Sequence, residues 1–249
     1  MSGGNKEARQ LWDTSFDEQI EKQAYNTAPV EALARTISYY LRDRLGNREL
    51  SELHFIEMGC GAAPNLIWLA EKGIRVSGID ISPRALTLAR GNLERAGLTD
   101  RLGQLLEAPV GEVPLESDSF DGVIEACVFQ HLDKAERVRA FDEVRRLLKP
   151  GGLFVGYMLD VGHTVFQLKK DRQMEDDPGT LMLEEGGSKL YLTNIGVSHF
   201  YNREELVSLL DGFSVVDPCL TTYYLPSEEA RKRGYETYLQ SMWTVYAIK

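Results

Sequence analysis

The stretch FIEMGCGAAPNLIWLA, residues 55–70, constrains the fold of this chain more than any other. Strand-forming residues lead into the acid Glu57, Gly59 and Gly61 follow, and the next apolar residues recur at helical spacing. The order is strand, tight turn, helix. Two glycines let the backbone turn sharply and bring a ligand against bare main chain, while the helix offers free amide groups at its first turn. A dinucleotide fold uses the same device to hold a pyrophosphate. Here Glu57, two residues before the first glycine, would repel a diphosphate and neutralise an ammonium, which points to a zwitterionic ligand carrying a cation.

Downstream the pattern keeps alternating. Strands are expected over 54–59, 75–81, 102–106, 120–126 and 153–159, and helices over 65–72, 83–96 and 134–148. Strands separated by helices of this length predict an α/β fold, a parallel sheet with helices on both faces, joined by right-handed crossovers. Before them, helices are expected over 11–25 and 29–45, the second placing Leu33, Ile37, Tyr40 and Leu41 on one face; only about the first ten residues look loose. Past Asp160 the rhythm breaks for about forty residues, with DDPG and EEGG as turn signals, as expected of a lid. A helix over 202–210, a strand from Phe213 and a closing strand MWTVYAIK follow, the two strands joined by about twenty-five residues and forming an antiparallel edge.

Asp80 ends the strand VSGID, twenty-one residues after Gly59, where an acid can accept both hydroxyls of a ribose. Its alternative role, capping the helix that starts near Pro83, falls better to Ser82. Glu57 could likewise be a strand-end acid that caps the next helix.

From about 55 to 159 the chain resembles the class I, Rossmann-like S-adenosylmethionine-dependent methyltransferases of small-molecule type. The segments IEMGCGAA, GIDIS, FDGVIEACVFQHL and LLKPGGLF carry the resemblance in order and spacing, with Ala63 where the loop more often has its third glycine. It implies a three-layer sandwich around a mostly parallel seven-stranded sheet of order 3-2-1-4-5-7-6, strand 7 antiparallel. It implies S-adenosyl-L-methionine as cofactor and S-adenosyl-L-homocysteine as product. By the same resemblance Gly59, Cys60 and Gly61 lie against the methionine part with Glu57, Asp80 on the ribose, and Ile81 against the adenine. Glu107 and the backbone of Ala108 would supply the adenine's polar contacts, with Glu112 a second candidate. Cys127 would pack with its backbone toward the cofactor, Gln130 would stand beside it, and an aromatic of the N-terminal cover, Trp12 or Tyr25, would close over it.

His131 follows the fourth core strand at the ligand-binding edge, and Asp160 and His163 follow the fifth; either histidine could serve as a general base. The alternative for His131 is packing at the start of the helix near Asp133. The acids of MEDDPG and EEGG read as solvated loop, with recognition of an amine as the alternative. The implied function is methyl transfer to an O, N or S atom of a small molecule. The rivals are a nicotinamide-dependent oxidoreductase, which shares the glycine turn and ribose acid, and a non-catalytic S-adenosylmethionine-binding regulator.

A net charge of −10 and a pI near 5.0 oppose a nucleic-acid partner. No apolar run approaches the roughly 20 residues that span a bilayer, so no membrane partner and a cytoplasmic location are expected. Cys60, Cys127 and Cys219 are odd in number and far apart, and His54, His131, His163 and His199 form no ligand pattern, so reduced thiols and no metal are expected. The whole of 1–249 is expected to form one domain: a helical cover over 1–50, a cofactor-binding core over 51–159, a lid insertion over 160–201, and a helix with edge strands over 202–249. The acceptor and the oligomeric state stay open.

Overall fold

The computed structural model describes residues 3–183 and 196–249; the EEGG segment lies outside them. In chain order the elements are α1 (Gly3–Glu21), α2 (Glu31–Arg44), β1 (His54–Met58), α3 (Pro64–Glu71), β2 (Arg75–Asp80), α4 (Pro83–Arg95), β3 (Leu102–Glu107), β4 (Phe120–Ala126), α5 (Lys134–Leu147) and β5 (Leu148–Leu159). There follow α6 (Thr164–Lys169), β6 (Thr180–Leu183), β7 (Gly196–His199), α7 (Arg203–Leu209), β8 (Val215–Tyr224), α8 (Ser227–Lys232) and β9 (Leu239–Ile248).

One seven-stranded sheet runs in the order β3-β2-β1-β4-β5-β9-β8. The first five strands are mutually parallel, β9 is antiparallel to β5, and β8 is antiparallel to β9. This is the expected 3-2-1-4-5-7-6 order once the separate hairpin β6–β7 is left out of the count. Successive side chains of a strand face opposite layers, and here both layers are dry. Ile56 and Met58 of β1 pack with Phe129, Phe141 and Phe154 on one face. Phe55 packs with Leu33, Ile37, Leu66 and Leu69 on the other. Three of the four residues expected on the core face of the second helix, Leu33, Ile37 and Tyr40, are buried.

The helix starts follow local chemistry. Ser82 Oγ accepts from Ala85 N at 3.1 Å with Pro83 in the first turn of α4, so Ser82 and not Asp80 caps that helix. Asp133 caps α5, accepting from Glu136 N at 2.8 Å.

The structure departs from expectation in four places. Helix α1 already begins at Gly3, inside the stretch that reads as loose. The region after Asp160 is not irregular throughout: it contains α6 and the hairpin β6–β7, four-residue strands too short to show a period. The edge strands β8 and β9 are ten residues each, so α8 and its flanks, over 225–238, replace the longer expected excursion. Asp177 of MEDDPG is buried, while Glu175 and Asp176 are exposed. Among the described residues, no helix is long and apolar enough to cross a membrane.

Candidate active site

The carboxyl ends of β1, β2 and β4 meet at one sheet edge, where an open parallel sheet leaves its crevice. Each brings an acid: Glu57, Asp80 and Glu125, all buried. Between the first two runs the glycine turn. Gly59 has φ +80° and Gly61 φ +51°, and the amides of Gly59 and Cys60 both donate to the Ile79 carbonyl, at 2.8 and 2.9 Å. A Cβ on Gly59 would come within 2.3 Å of Val128 Cγ2, so no side chain fits there. Ala63, at the N-cap of α3, has φ +65°, a left-handed conformation that costs a non-glycine residue about 1 kcal/mol.

Glu57 is half satisfied. Its Oε1 accepts from Asn65 Nδ2 at 2.6 Å, and its Oε2 is buried without a partner. Burial pushes this carboxyl up to about 8, against the Asn65 hydrogen bond and with help from the charges of Asp80 and Glu125. A buried carboxylate with one empty oxygen is costly unless something cationic completes it. Asn65 also accepts from Val30 N at 2.9 Å, so the floor of the site is tied to the entry of α2.

Asp80 is held by main chain: Oδ2 accepts from Gly61 N and Oδ1 from Ser82 N, each at 2.9 Å. Burial still lifts it to about 6. Each oxygen keeps a further lone pair, enough for a diol. Glu125 serves the loop after β4: its Oε1 accepts from Val128 N at 2.6 Å and Phe129 N at 3.0 Å, and burial pushes it up to about 7.

These elements enclose a cavity of about 700 Å³. Its walls bring together Glu57, Gly59, Cys60, Gly61, Asp80 and Ile81 from the first two strand ends. Cys127, Gln130 and His131 join them from the loop after β4, and Trp12 and Tyr25 from the N-terminal cover. Burial raises the Cys60 and Cys127 thiols, so neither is a ready nucleophile. Helix α1 is fastened over the opening. Asp13 Oδ1 accepts from Ser82 Oγ at 2.5 Å and Arg84 N at 3.3 Å, and Asp17 pairs with Arg84 at 3.0 Å.

Three expected site residues lie elsewhere. Glu107 is not on the wall; its carboxylate pairs with Arg9 of α1 at 2.8 Å. Ala108 is buried beneath, its amide donating to the Asp80 carbonyl at 3.2 Å. The wall there is Pro109 to Glu112, so the second candidate, Glu112, faces the cavity. His163 is also absent from the wall. Its Nδ1 accepts from Val165 N at 3.2 Å, capping α6, and its ring packs on Phe200 and Tyr238. Its neighbour Asp160 accepts from Ser241 Oγ at 2.6 Å and Gly162 N at 2.9 Å, so this strand end is closed by β9.

His131 sits against Trp12, ring centroids 5.5 Å apart. The Val197 carbonyl, 3.2 Å from Nδ1, can only accept, so Nδ1 carries the proton and Nε2 accepts from Gln130 Nε2 at 3.3 Å. Gln130 Oε1 in turn accepts from Leu159 N at 3.0 Å. Burial lowers His131 to about 4, so the ring is neutral at pH 7.

Sequence reasoning missed Asn65 and Glu125 as parts of the site. An acid inside the apolar strand FDGVIEA is the trace that Glu125 left in the sequence. Among the described residues, no group of three His, Cys, Asp or Glu could hold a metal ion.

Residues 56–156 match the family model described as a methyltransferase domain. A ubiquinone biosynthesis O-methyltransferase of Methylocella silvestris is 37% identical over 121 residues, 48% of this chain and 44% of that protein. A sterol 4-C-methyltransferase of Caenorhabditis elegans is 26% identical over 131 residues, 52% of this chain and 37% of that protein. The aligned stretch thus spans less than half the length of these relatives. In fold, a 1,6-didemethyltoxoflavin-N1-methyltransferase of Burkholderia thailandensis, solved with 1,6-didemethyltoxoflavin and S-adenosylhomocysteine, superposes over 100% of this chain and 91% of its own. Its TM-score is 0.58 at 15% identity. A SAM-dependent methyltransferase of Methanosarcina mazei gives 0.61 at 21% identity over 79% of this chain and 92% of its own.

Proposed function

From a core that is a methyltransferase domain on the class I Rossmann-like fold, we propose that this chain transfers a methyl group from S-adenosylmethionine to an O, N or S atom of a small molecule. The observation that carries the proposal is the pair of buried acids at one cavity. Glu57 offers an empty oxygen on the floor, and Asp80 offers two lone pairs beside the glycine turn. A ligand with an ammonium at one end of a ribose suits both, and a pyrophosphate suits neither.

In this reading Glu57 meets the ammonium, Asp80 the ribose hydroxyls, and the wall from Pro109 to Glu112 the base. When bound, the cofactor supplies a methyl group on a sulfonium, an electrophile that needs alignment and a dry site more than acid–base help. Trp12 and Tyr25 keep water from that side of the cavity. His131, held neutral and with a fixed tautomer, carries its one ring lone pair on Nε2, and an incoming hydroxyl or ammonium takes that lone pair in place of the long 3.3 Å hydrogen bond from Gln130. So low a basicity makes it an orienting group first and a proton acceptor second.

The helical cover, core, insertion and edge segments act here as one domain. The charge of −10 supports a small acceptor over a nucleic acid, and three unpaired cysteines fit a reducing, cytoplasmic compartment. Titration calorimetry with S-adenosylmethionine, S-adenosylhomocysteine and NADH tests the cofactor. Binding of NADH alone would move the chain to the oxidoreductases. Methyl transfer from isotopically labelled cofactor to a panel of phenols, amines and thiols tests the activity; cofactor binding with no product across all acceptor classes would favour the non-catalytic regulator.

A further inference from the structure

Behind the His131 side of the cavity lies a row of buried polar side chains that the proposed chemistry does not use. Arg137 of α5 is 2% exposed. Its Nη2 donates to both oxygens of Asp177, at 2.7 and 2.9 Å, and its Nη1 donates to the Leu132 carbonyl at 3.0 Å. Asp177 Oδ2 lies 2.5 Å from Thr180 Oγ1, and Thr180 Oγ1 lies 2.7 Å from His199 Nδ1. His199 Nε2 lies 2.9 and 3.0 Å from the two oxygens of Glu205 of α7. The Tyr201 ring packs edge-on against His199 at 4.5 Å.

Counting protons along this row fixes its direction. Burial alone would raise the Asp177 carboxyl, but hydrogen bonds from Arg137 and Thr180 hold it below the usual carboxylate range, so it only accepts. The single hydroxyl proton of Thr180 therefore goes to Asp177. What Thr180 can offer His199 is then a lone pair, so Nδ1 must donate. Glu205 accepts at the other nitrogen, so Nε2 must donate too. The row closes without a repulsive contact only when both ring nitrogens of His199 carry protons. Its charges then alternate, with Arg137 and His199 positive and Asp177 and Glu205 negative.

The row also has two mechanical ends. Thr180 opens β6 and His199 closes β7, so it nails the hairpin to α5. Between them, β7 supplies the Val197 carbonyl that sets the His131 tautomer, with Ser198 Oγ 3.4 Å from the same nitrogen. At its other end Arg137 grips the carbonyl of Leu132, the residue after His131.

We propose that Arg137, Asp177, Thr180, His199 and Glu205 form a positioning relay that locks the β6–β7 hairpin behind His131 and so fixes the ring that this histidine presents to the cavity. The relay is complete only with His199 doubly protonated. Its role in methyl transfer rests on the function proposed above, whereas its effect on the His131 ring does not. The groups facing His199 are Glu205 from α7, Thr180 and Asp177 from β6 and the turn before it, Arg137 one step further on α5, and the Tyr201 ring.

The test is long-range 1H–15N correlation of the imidazole rings in the full chain, whose four histidines are assigned by single substitutions. At pH 7 His199 should show two protonated nitrogens and His131 a single tautomer protonated at Nδ1. Thr180→Val should turn His199 neutral and leave His131 exchanging between tautomers, while affinity for S-adenosylhomocysteine changes by less than about twofold. Thr180→Ser should restore both ring signatures. Glu205→Gln, at the partly exposed end, removes the charged acceptor at Nε2 and should leave His131 exchanging between tautomers as well. A neutral His199 in the unaltered chain overturns the proposal, as does a fixed His131 tautomer in Thr180→Val. If Thr180→Val does not fold, a fixed His131 tautomer in the Glu205→Gln chain does the same. Failure of the unaltered chain to bind S-adenosylhomocysteine would instead overturn the proposed function and leave the ring measurements standing.

Discussion

If Glu57 holds the cofactor's ammonium as proposed, cofactor binding has a pH dependence whose sign follows from the burial of this acid. In the free protein its carboxyl sits at about 8, so at pH 7 most molecules hold it protonated. An ammonium at its empty Oε2 needs the carboxylate, so binding must expel that proton. Below pH 8 the expulsion costs about 1.4 kcal/mol per pH unit, so affinity should rise about tenfold from pH 6 to pH 7 and level off near 8. Above that, an α-amino group with a pKa of about 8 starts to lose its own charge and affinity should fall again. Calorimetry of S-adenosylhomocysteine in buffers of different ionisation enthalpy reads the released proton directly, approaching one per site near pH 6. Glu57→Gln removes both the charge and the proton. It should flatten the rise below pH 8, release no proton, and weaken binding by about 1.5–3 kcal/mol, the range for hydrogen bonds to a charged group. The same variant carries an opposite stability signature. A carboxyl whose folded value lies above its unfolded one favours the fold below the unfolded pKa and loses that contribution as pH rises toward 8. The ligand-free Glu57→Gln chain should therefore melt higher than the unaltered chain at pH 8 and about equally at pH 4. Constant affinity from pH 6 to 8 with no proton release would refute the placement of a cation on Glu57.

Three further outcomes follow from the same geometry. Asp80→Ala should cost about 1.5–3 kcal/mol of cofactor affinity, and Asp80→Asn less, because the amide still offers one acceptor; an unchanged Kd in folded Asp80→Ala would place the ribose elsewhere. His131→Ala should lower turnover by about 10²-fold or more while the Kd for S-adenosylhomocysteine holds, the mark of a group that aligns the acceptor; weaker cofactor binding with intact turnover would make it a binding residue. Gly59→Ala forces a Cβ against Val128 at φ +80° and should lower the Tm, with Val128→Ala in the same chain recovering part of the loss in thermal melts; equal melting of Gly59→Ala and the parent would mean the turn can open without cost.

The sequence by itself determined the alternating strands and helices, the glycine turn, and the acids Glu57 and Asp80 at two strand ends. These features are local: turn chemistry, capping by Ser82 and the burial period are written within a few residues of where they act. Tertiary structure alone decided what the distant parts do. Glu107 follows the expected strand, yet Arg9 of α1 draws its carboxylate off the cavity wall. His163 and His131 follow neighbouring strands with equal promise, but β9 and Tyr238 close over one while the other opens on the cavity. Asp177 reads as a solvated acid because its partner, Arg137, lies forty residues away in sequence. No pattern in one chain shows which of two equivalent positions a later segment will cover, since that depends on side chains meeting only after the sheet has formed. That is why the residues at the glycine turn and the first strand ends, proposed for the cofactor, were more legible here than those proposed to place its acceptor.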